Sequence, residues 1–131
     1  MKKLFSTILI SSLLWCNVSF AEWVSFIDDY KFFGDDVWNY EDESVKKDKD
    51  YTYVWIMQDF TNLPKGSVPM SVQYYIKINC KLMQYDYMEA INYRFPLGTG
   101  ESRNFNYPEV EWRSSPPGSV YDQILKVICS K

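Results

Sequence analysis

The chain has 131 residues, which is enough for one domain and too few for two. Hydrophobic residues make up 47% and aromatic residues 18% of the sequence, so a packed core is expected. The net charge is −3 and there is no histidine. The negative net charge argues against electrostatic binding to nucleic acid or anionic lipid. The absence of histidine argues against zinc sites with imidazole ligands and against Ser-His-Asp catalysis.

The N-terminus has the pattern of a secretory signal peptide. Lys2 and Lys3 precede an uncharged, mostly apolar run, residues 4–15. This run is shorter than the roughly 20 residues that a membrane-spanning helix needs. The alternative interpretation is a lipoprotein that is cleaved and acylated at Cys16. The residue before a lipidated cysteine is normally small, and here it is Trp15, which argues against this alternative.

Small residues at Ser19 and Ala21 predict the cleavage site. We therefore expect residues 1–21 to be removed as a signal peptide and residues 22–131 to form one exported domain without a membrane span. The expected location of this exported domain is the periplasm or the outer cell surface.

The first part of this domain contains several strand patterns. Short strands are predicted at 23–27, 30–33 and 37–40. The charged run 41–50 (EDESVKKDKD) has one apolar residue to bury and lacks the ligand spacing of an EF-hand, so it predicts a solvated loop. Residues 51–60 (YTYVWIMQDF) are apolar on both faces in their middle, which is typical of a central strand.

Two longer segments alternate apolar and polar residues with the period of a strand. Residues 70–82 place seven apolar side chains on one face, and residues 85–95 repeat the pattern as a second strand. Glu89 is the exception on that second apolar face. It could pair with Arg94 or Lys81, lie at the rim of the sheet, or titrate with a raised pKa in a pocket.

The last part of the chain changes character. Proline, glycine and asparagine recur over 96–108, which predicts an irregular loop, and a short strand is predicted at 110–112. Apolar residues then recur at helical spacing over 120–128, which indicates an amphipathic helix with Ser119 as its N-cap.

Two cysteines remain after cleavage of the signal peptide, Cys80 and Cys129. In an oxidising compartment they predict a structural disulfide, and their wide separation does not favour a redox or metal-binding pair. Cys80 lies on the apolar face of its strand and Cys129 borders the apolar stripe of the helix. The expected fold is α+β, a single domain with a mainly antiparallel sheet and a C-terminal helix tied to it by this disulfide.

Catalysis is not expected from this sequence, and neither is a cofactor or a metal. The acidic candidates are the adjacent pairs 28–29 and 35–36 and the single residues Asp59, Asp86 and Glu89. Neighbouring side chains on a strand point to opposite faces, and both pairs lie at predicted turns, so neither pair is a catalytic dyad.

Ligand binding is the better hypothesis because aromatic residues are so abundant. The sequence contains 11 Tyr, 8 Phe and 5 Trp, more than one small core should need. Tyr and Trp favour recognition surfaces, and we expect Tyr75, Phe105 and Tyr107 on such a surface. A large aromatic core or a homodimer interface is the alternative explanation.

Several features carry a family resemblance: the stretch 73–80 (QYYIKINC), the tyrosine-rich segment 85–93, Trp112 ahead of a Pro-Pro-Gly-Ser stop, the closing segment 125–129 (LKVIC) and the early Trp23. With them the chain resembles the surface-adhesin protein E family of small exported bacterial proteins. The resemblance implies an antiparallel sheet with a disulfide-tied helix. It also implies an adhesin that binds host extracellular-matrix or plasma proteins and dimerises. The alternative function is that of a periplasmic accessory or structural protein without a host ligand. The family's ligand-binding stretches are not matched residue by residue, so no binding residue is transferred.

Overall fold

The computed structural model describes residues 22–26 and 36–131. The expected signal peptide and the strand predicted at 30–33 lie outside these residues. The described part forms eight strands and one helix: β1 (Trp23–Ser25), β2 (Val37–Glu41), β3 (Lys46–Asp48), β4 (Tyr51–Asp59), β5 (Ser71–Asn79), β6 (Gln84–Phe95), β7 (Thr99–Asn106), β8 (Arg113–Ser114) and α1 (Val120–Cys129).

All strand pairs are antiparallel and belong to one sheet. The order is β1-β2-β4-β5-β6-β7, with β3 paired to β4 and β8 paired to β6. β4 lies between β2 and β5, which confirms the prediction of a central strand at 51–60. The expected α+β fold with an antiparallel sheet is therefore confirmed.

The charged run does not form the predicted loop. It ends β2, makes a single turn of 3-10 helix at Asp42–Ser44, and continues as β3 along the same edge of β4. At the interruption the Ser44 hydroxyl donates to the Glu41 carbonyl oxygen (2.7 Å) and accepts from the Trp55 backbone N–H (2.9 Å). This side chain satisfies a backbone donor of β4 where the strand pairing breaks, and all three residues of β3 are exposed to solvent.

The helix α1 covers one face of the sheet, which is here called the helix-side face; the opposite one is the open face. Ile124, Leu125 and Ile128 are fully buried, with 0% exposed surface. They pack on sheet residues that are equally buried, namely Val54, Ile56, Ile76 and Ile78. Burial of each such side chain contributes about 1.5–3 kcal/mol, so packing on the sheet outweighs the weak intrinsic stability of a ten-residue helix.

The predicted N-cap of α1 is confirmed. The Ser119 hydroxyl accepts from the Asp122 backbone N–H (3.2 Å). The Asp122 carboxylate in turn accepts from the Gly118 backbone N–H and from the Lys126 ammonium, both at 2.9 Å. These two hydrogen bonds, the Lys126 bond first, lower the pKa of Asp122 below its ordinary value.

The predicted disulfide between Cys80 and Cys129 is also confirmed. Cys129 is the last residue of α1, and Cys80 comes directly after β5 at the start of the turn into β6. The bond therefore joins the C-terminal end of the helix to the hairpin of β5 and β6.

Three sequence-based boundaries are wrong. The strand predicted over 70–82 ends at Asn79, and Leu82 lies in the turn with 60% of its surface exposed. The loop predicted at 96–108 contains the eight-residue strand β7. The short strand predicted at 110–112 does not form there; β8 follows it at Arg113–Ser114. β7 has a polar sequence and every residue exposed, so its extended form depends on pairing with β6 and not on a buried face.

Part of the aromatic excess fills the core under α1. The rings of Tyr85 and Tyr121 stack with centroids 4.1 Å apart, and the edge of Trp38 meets Tyr121 at 5.7 Å. The hydroxyl oxygens of Tyr87 and Tyr121 form a hydrogen bond of 2.5 Å. Burial raises the pKa of both of these tyrosines. An aromatic core, the alternative explanation of the composition, thus accounts for some of the rings.

Candidate ligand-binding surface

A β-bulge in β6 decides which side chains reach the open face. Ile76 lies opposite Tyr87 and Tyr75 lies opposite Glu89, so Met88 is an extra residue in β6. Before the bulge, odd-numbered residues such as Tyr87 face the helix. Because the extra residue inverts the alternation, odd-numbered residues from Glu89 onward lie on the open face. The sequence-based assignment of one continuous apolar face to 85–95 is therefore wrong.

Glu89 is consequently not an acid on the core face. It lies on the open face opposite Tyr75, and its Oε1 accepts from the Asn104 side-chain amide at 3.4 Å. The suggested pairing with Arg94 does not occur, since Arg94 lies 3.7 Å from Glu101. Glu89 thus puts a carboxylate beside the aromatic residues of the open face.

These aromatic residues form two neighbouring stacks on β4, on β5 and on the segment before β8, here together called the aromatic row: Tyr51, Tyr53, Trp55, Tyr75 and Trp112. Trp55 and Tyr75 are cross-strand neighbours whose rings stack at 5.1 Å. Tyr53 stacks on Tyr75 from the other side at 6.0 Å. All three are half-buried by one another. The row is therefore ordered by stacking and keeps part of each ring accessible.

A lysine lies between the two stacks of the row. The Lys77 ammonium lies 4.1 Å from the Tyr51 ring centroid, 5.7 Å from that of Trp112 and 6.0 Å from that of Tyr53. Trp112 comes from the segment before β8 and stacks on Tyr51 at 5.6 Å. Cation–π attraction holds the ammonium over rings of both stacks, so the row carries a positive charge within it.

A tight turn after β6 covers the other end of the open face. The Asp59 carboxylate accepts from the Leu97 backbone N–H at 2.6 Å. The Ser71 hydroxyl accepts from the Gly98 N–H (2.9 Å) and donates to the Phe95 carbonyl oxygen (2.7 Å). Burial raises the pKa of Asp59, partly offset by the bond from Leu97. Two buried side chains thus fix the turn on the sheet.

Position 98 favours glycine. Its φ is +66°, and an added Cβ would lie 2.6 Å from Nε2 of Gln73 on the sheet beneath. The close approach lets the turn bury Met57, which is 1% exposed. The accessible part of the open face therefore runs from Trp112 to Trp55 and Glu89 and does not extend over Met57.

The carboxylates considered as catalytic candidates make separate structural contacts. Asp36 accepts from the Gln58 side-chain amide at 2.8 Å, and Asp86 accepts from the Glu111 backbone N–H at 3.2 Å. The pair 28–29 and Asp35 lie outside the described residues. Within the described ranges, no group of three or more His, Cys, Asp or Glu side chains could hold a metal ion.

The three binding residues suggested from the sequence lie on two surfaces. Tyr75 is in the aromatic row, whereas Phe105 is opposite Ala90 on the helix-side face. Tyr107 is beside the core, with its ring 5.8 Å from that of Tyr87. Phe105 and Tyr107 are 41% and 42% exposed.

The remaining members of the row were missed as site residues, although Tyr51, Tyr53 and Trp55 alternate with Thr52 and Val54. That alternation was the available signal for an aromatic open face.

Phe105 belongs to a groove on the helix-side face, beyond the residues that α1 covers. The groove has a volume of about 680 Å³, and its apolar wall is formed by Val68, Pro69 and Phe105. Arg94, Glu101 and Arg103 supply its charged groups. It is separate from the aromatic row because the two lie on opposite faces of the sheet.

Comparison with known proteins identifies the family. The family model for surface-adhesin protein E matches residues 34–130. The chain belongs to the surface-adhesin protein E family. This confirms the resemblance found in the sequence. The protein is therefore surface-adhesin-like, and family membership suggests a non-enzymatic protein.

Solved structures of Haemophilus influenzae protein E share this fold. One has a TM-score of 0.57 at 16% identity and covers 72% of this chain and 79% of that one. Another, from non-typeable Haemophilus influenzae, has a TM-score of 0.54 at 14% identity and covers 83% of both chains. No curated protein matches the sequence. At these identities the likeness concerns the fold and does not transfer a binding residue.

No helix in residues 22–26 and 36–131 has the length and apolar character needed to cross a membrane.

Proposed function

We propose that the protein is an exported, non-catalytic adhesin that binds host extracellular-matrix or plasma proteins through the aromatic row. The observation that carries this proposal is the row itself, five Tyr and Trp side chains in two neighbouring stacks on a sheet face that the helix α1 leaves uncovered. Family membership supports the adhesin class, and the row supplies the contact surface.

The physical chemistry of the row suits a protein partner. Tyr and Trp bring large contact areas at small entropic cost, and stacking has already restricted these rings before a partner arrives. Lys77 between the two stacks and Glu89 opposite Tyr75 give the surface charges of opposite sign. Such charges select the orientation of a partner while the rings supply the binding energy.

The proposal includes export. Residues 1–21 act as a cleaved signal peptide, and residues 22–131 form the adhesin domain. N-terminal sequencing of the exported protein should begin at Glu22, and a diacylated Cys16 would contradict the cleavage site.

Binding is tested with the full disulfide-bonded protein on immobilised matrix and plasma proteins. Trp55→Ala and Tyr75→Ala should each lower binding to the captured partner by about tenfold or more, as expected for central aromatic contacts. Tyr107→Ala is the control, because it removes an exposed tyrosine ring outside the row. Circular dichroism checks the fold, and Trp55→Gln and Tyr75→Gln replace any alanine variant that fails to fold.

Equal binding by the row variants and the control would refute this use of the row. Two competing roles have separate readouts. Protection from external protease on intact cells would favour the periplasmic accessory role. A dimer that Tyr75→Ala dissociates, measured by light scattering, would make the row a homodimer interface instead.

A further inference from the structure

The strand β7 is an open edge of the sheet. Among the described residues it pairs with β6 alone, and all eight of its residues are exposed. An edge strand leaves alternate backbone N–H and C=O groups unpaired, which is the template for adding another strand. The segment contains no proline that would block this pairing.

One side of β7 borders the groove on the helix-side face. Phe105 lies opposite Ala90 and Arg103 lies opposite Asn92, so both side chains stand on this face and line the groove. Val68 and Pro69 line the same groove. A chain added at the β7 edge would place every second side chain next to Arg103 and Phe105, within reach of the groove.

The charges along this edge are not balanced. Glu101 lies 3.7 Å from Arg94 in an exposed ion pair. Arg103 has no ion pair among residues 22–26 and 36–131, and its guanidinium lies 5.8 Å from the centroid of the Phe105 ring. An unpaired cation beside an apolar wall is complementary to a carboxylate that lies two residues from an apolar side chain.

We propose that β7 binds an extended peptide segment of a partner protein as an added strand, with an acidic side chain on Arg103 and an apolar side chain on Phe105. This site goes beyond the adhesin function proposed above and lies on the other face from the aromatic row. The backbone of β7 supplies affinity for any extended chain, and the pair Arg103 and Phe105 supplies the sequence preference.

The test measures fluorescence anisotropy of labelled synthetic peptides with the full disulfide-bonded protein. The probe is TVTETVT, in which valines two positions on either side of the glutamate meet Phe105 in either strand direction. TVTKTVT reverses the charge, and a third peptide carries N-methyl groups on alternate amides, which removes backbone donors but keeps the side chains.

TVTETVT should bind about tenfold or more tightly than TVTKTVT, and Arg103→Glu should invert that order. The N-methylated peptide should not bind. Trp55→Ala should leave peptide binding unchanged, so failure of the adhesin proposal and failure of this one are distinguishable. Arg103 is exposed, so the charge reversal should not alter the thermal melt.

Three results of the peptide-binding experiment would overturn the proposal. They are absence of binding by TVTETVT at millimolar concentration, equal binding of the glutamate and lysine peptides, and undiminished binding of the N-methylated peptide. A peptide-free dimer that Arg103→Glu converts to a monomer would assign the edge to a second copy of the chain and would also overturn it.

Discussion

Removal of the disulfide tests how the fold is held together. The bond between Cys80 and Cys129 closes a loop with a sequence separation of 49 residues. The chain-entropy relation assigns about 4 kcal/mol to a loop of this length, because the cross-link restricts the unfolded chain. Replacing both cysteines by alanine should therefore lower the free energy of unfolding by about 2–5 kcal/mol.

The structure also indicates which element responds first. α1 keeps Ile124, Leu125 and Ile128 buried on the sheet without the bond, so the helix should stay docked, but more weakly. Hydrogen exchange in the double cysteine variant should accelerate in α1 before it accelerates in β4 or β5, since a ten-residue helix is marginal when undocked.

The assay is urea unfolding of the wild type and the double variant, with a thiol titration of the denatured, unreduced wild type. Ile124→Ala is a control that leaves the disulfide intact and should cost about 2–5 kcal/mol through the cavity it creates. Two titratable thiols from Cys80 and Cys129, or superimposable urea curves for wild type and double cysteine variant, would refute the reasoning.

Three further predictions concern single side chains. Asp122→Asn should reduce the free energy of unfolding at neutral pH and leave it unchanged in strong acid. The pKa of Asp122 is lowered in the folded state, so its carboxylate stabilises the fold above the unfolded-state pKa, and this stabilisation is lost as pH falls through the folded-state pKa. Asp59→Asn should have the opposite effect in the same urea melts: it should raise the free energy of unfolding at neutral pH, and this gain in stability should disappear in acid. The reason is that burial raises the pKa of Asp59, so the folded state disfavours its charged form. Gly98→Ala and Gly66→Ala should each cost about 1–2 kcal/mol of stability, because both glycines have positive φ. Gly98→Ala should cost more, because its added Cβ also forces the Gln73 side-chain amide to move, whereas Gly66 has no neighbour within 4 Å. Equal melts for the two variants would contradict this prediction.

Local sequence determined the elements whose physical causes are local. The helix α1 follows from its apolar spacing and from the hydroxyl of Ser119, both of which lie within one short segment. The strand β5 follows from an alternation that is almost uninterrupted, and the central position of β4 follows from apolar residues on both faces. The disulfide was predicted from the two cysteines that follow the expected signal peptide.

Tertiary structure alone decided the two surfaces. The bulge at Met88 adds one residue without any marker in composition, yet it moves Glu89 from the expected core face to the open face. The polar strand β7 becomes extended because β6 offers it a partner, and a pairing partner is not visible in a local pattern. The face that α1 covers decides which aromatic rings enter the core and which form the row. The two faces of a strand that is apolar on both sides are equivalent in sequence until another element packs on one of them.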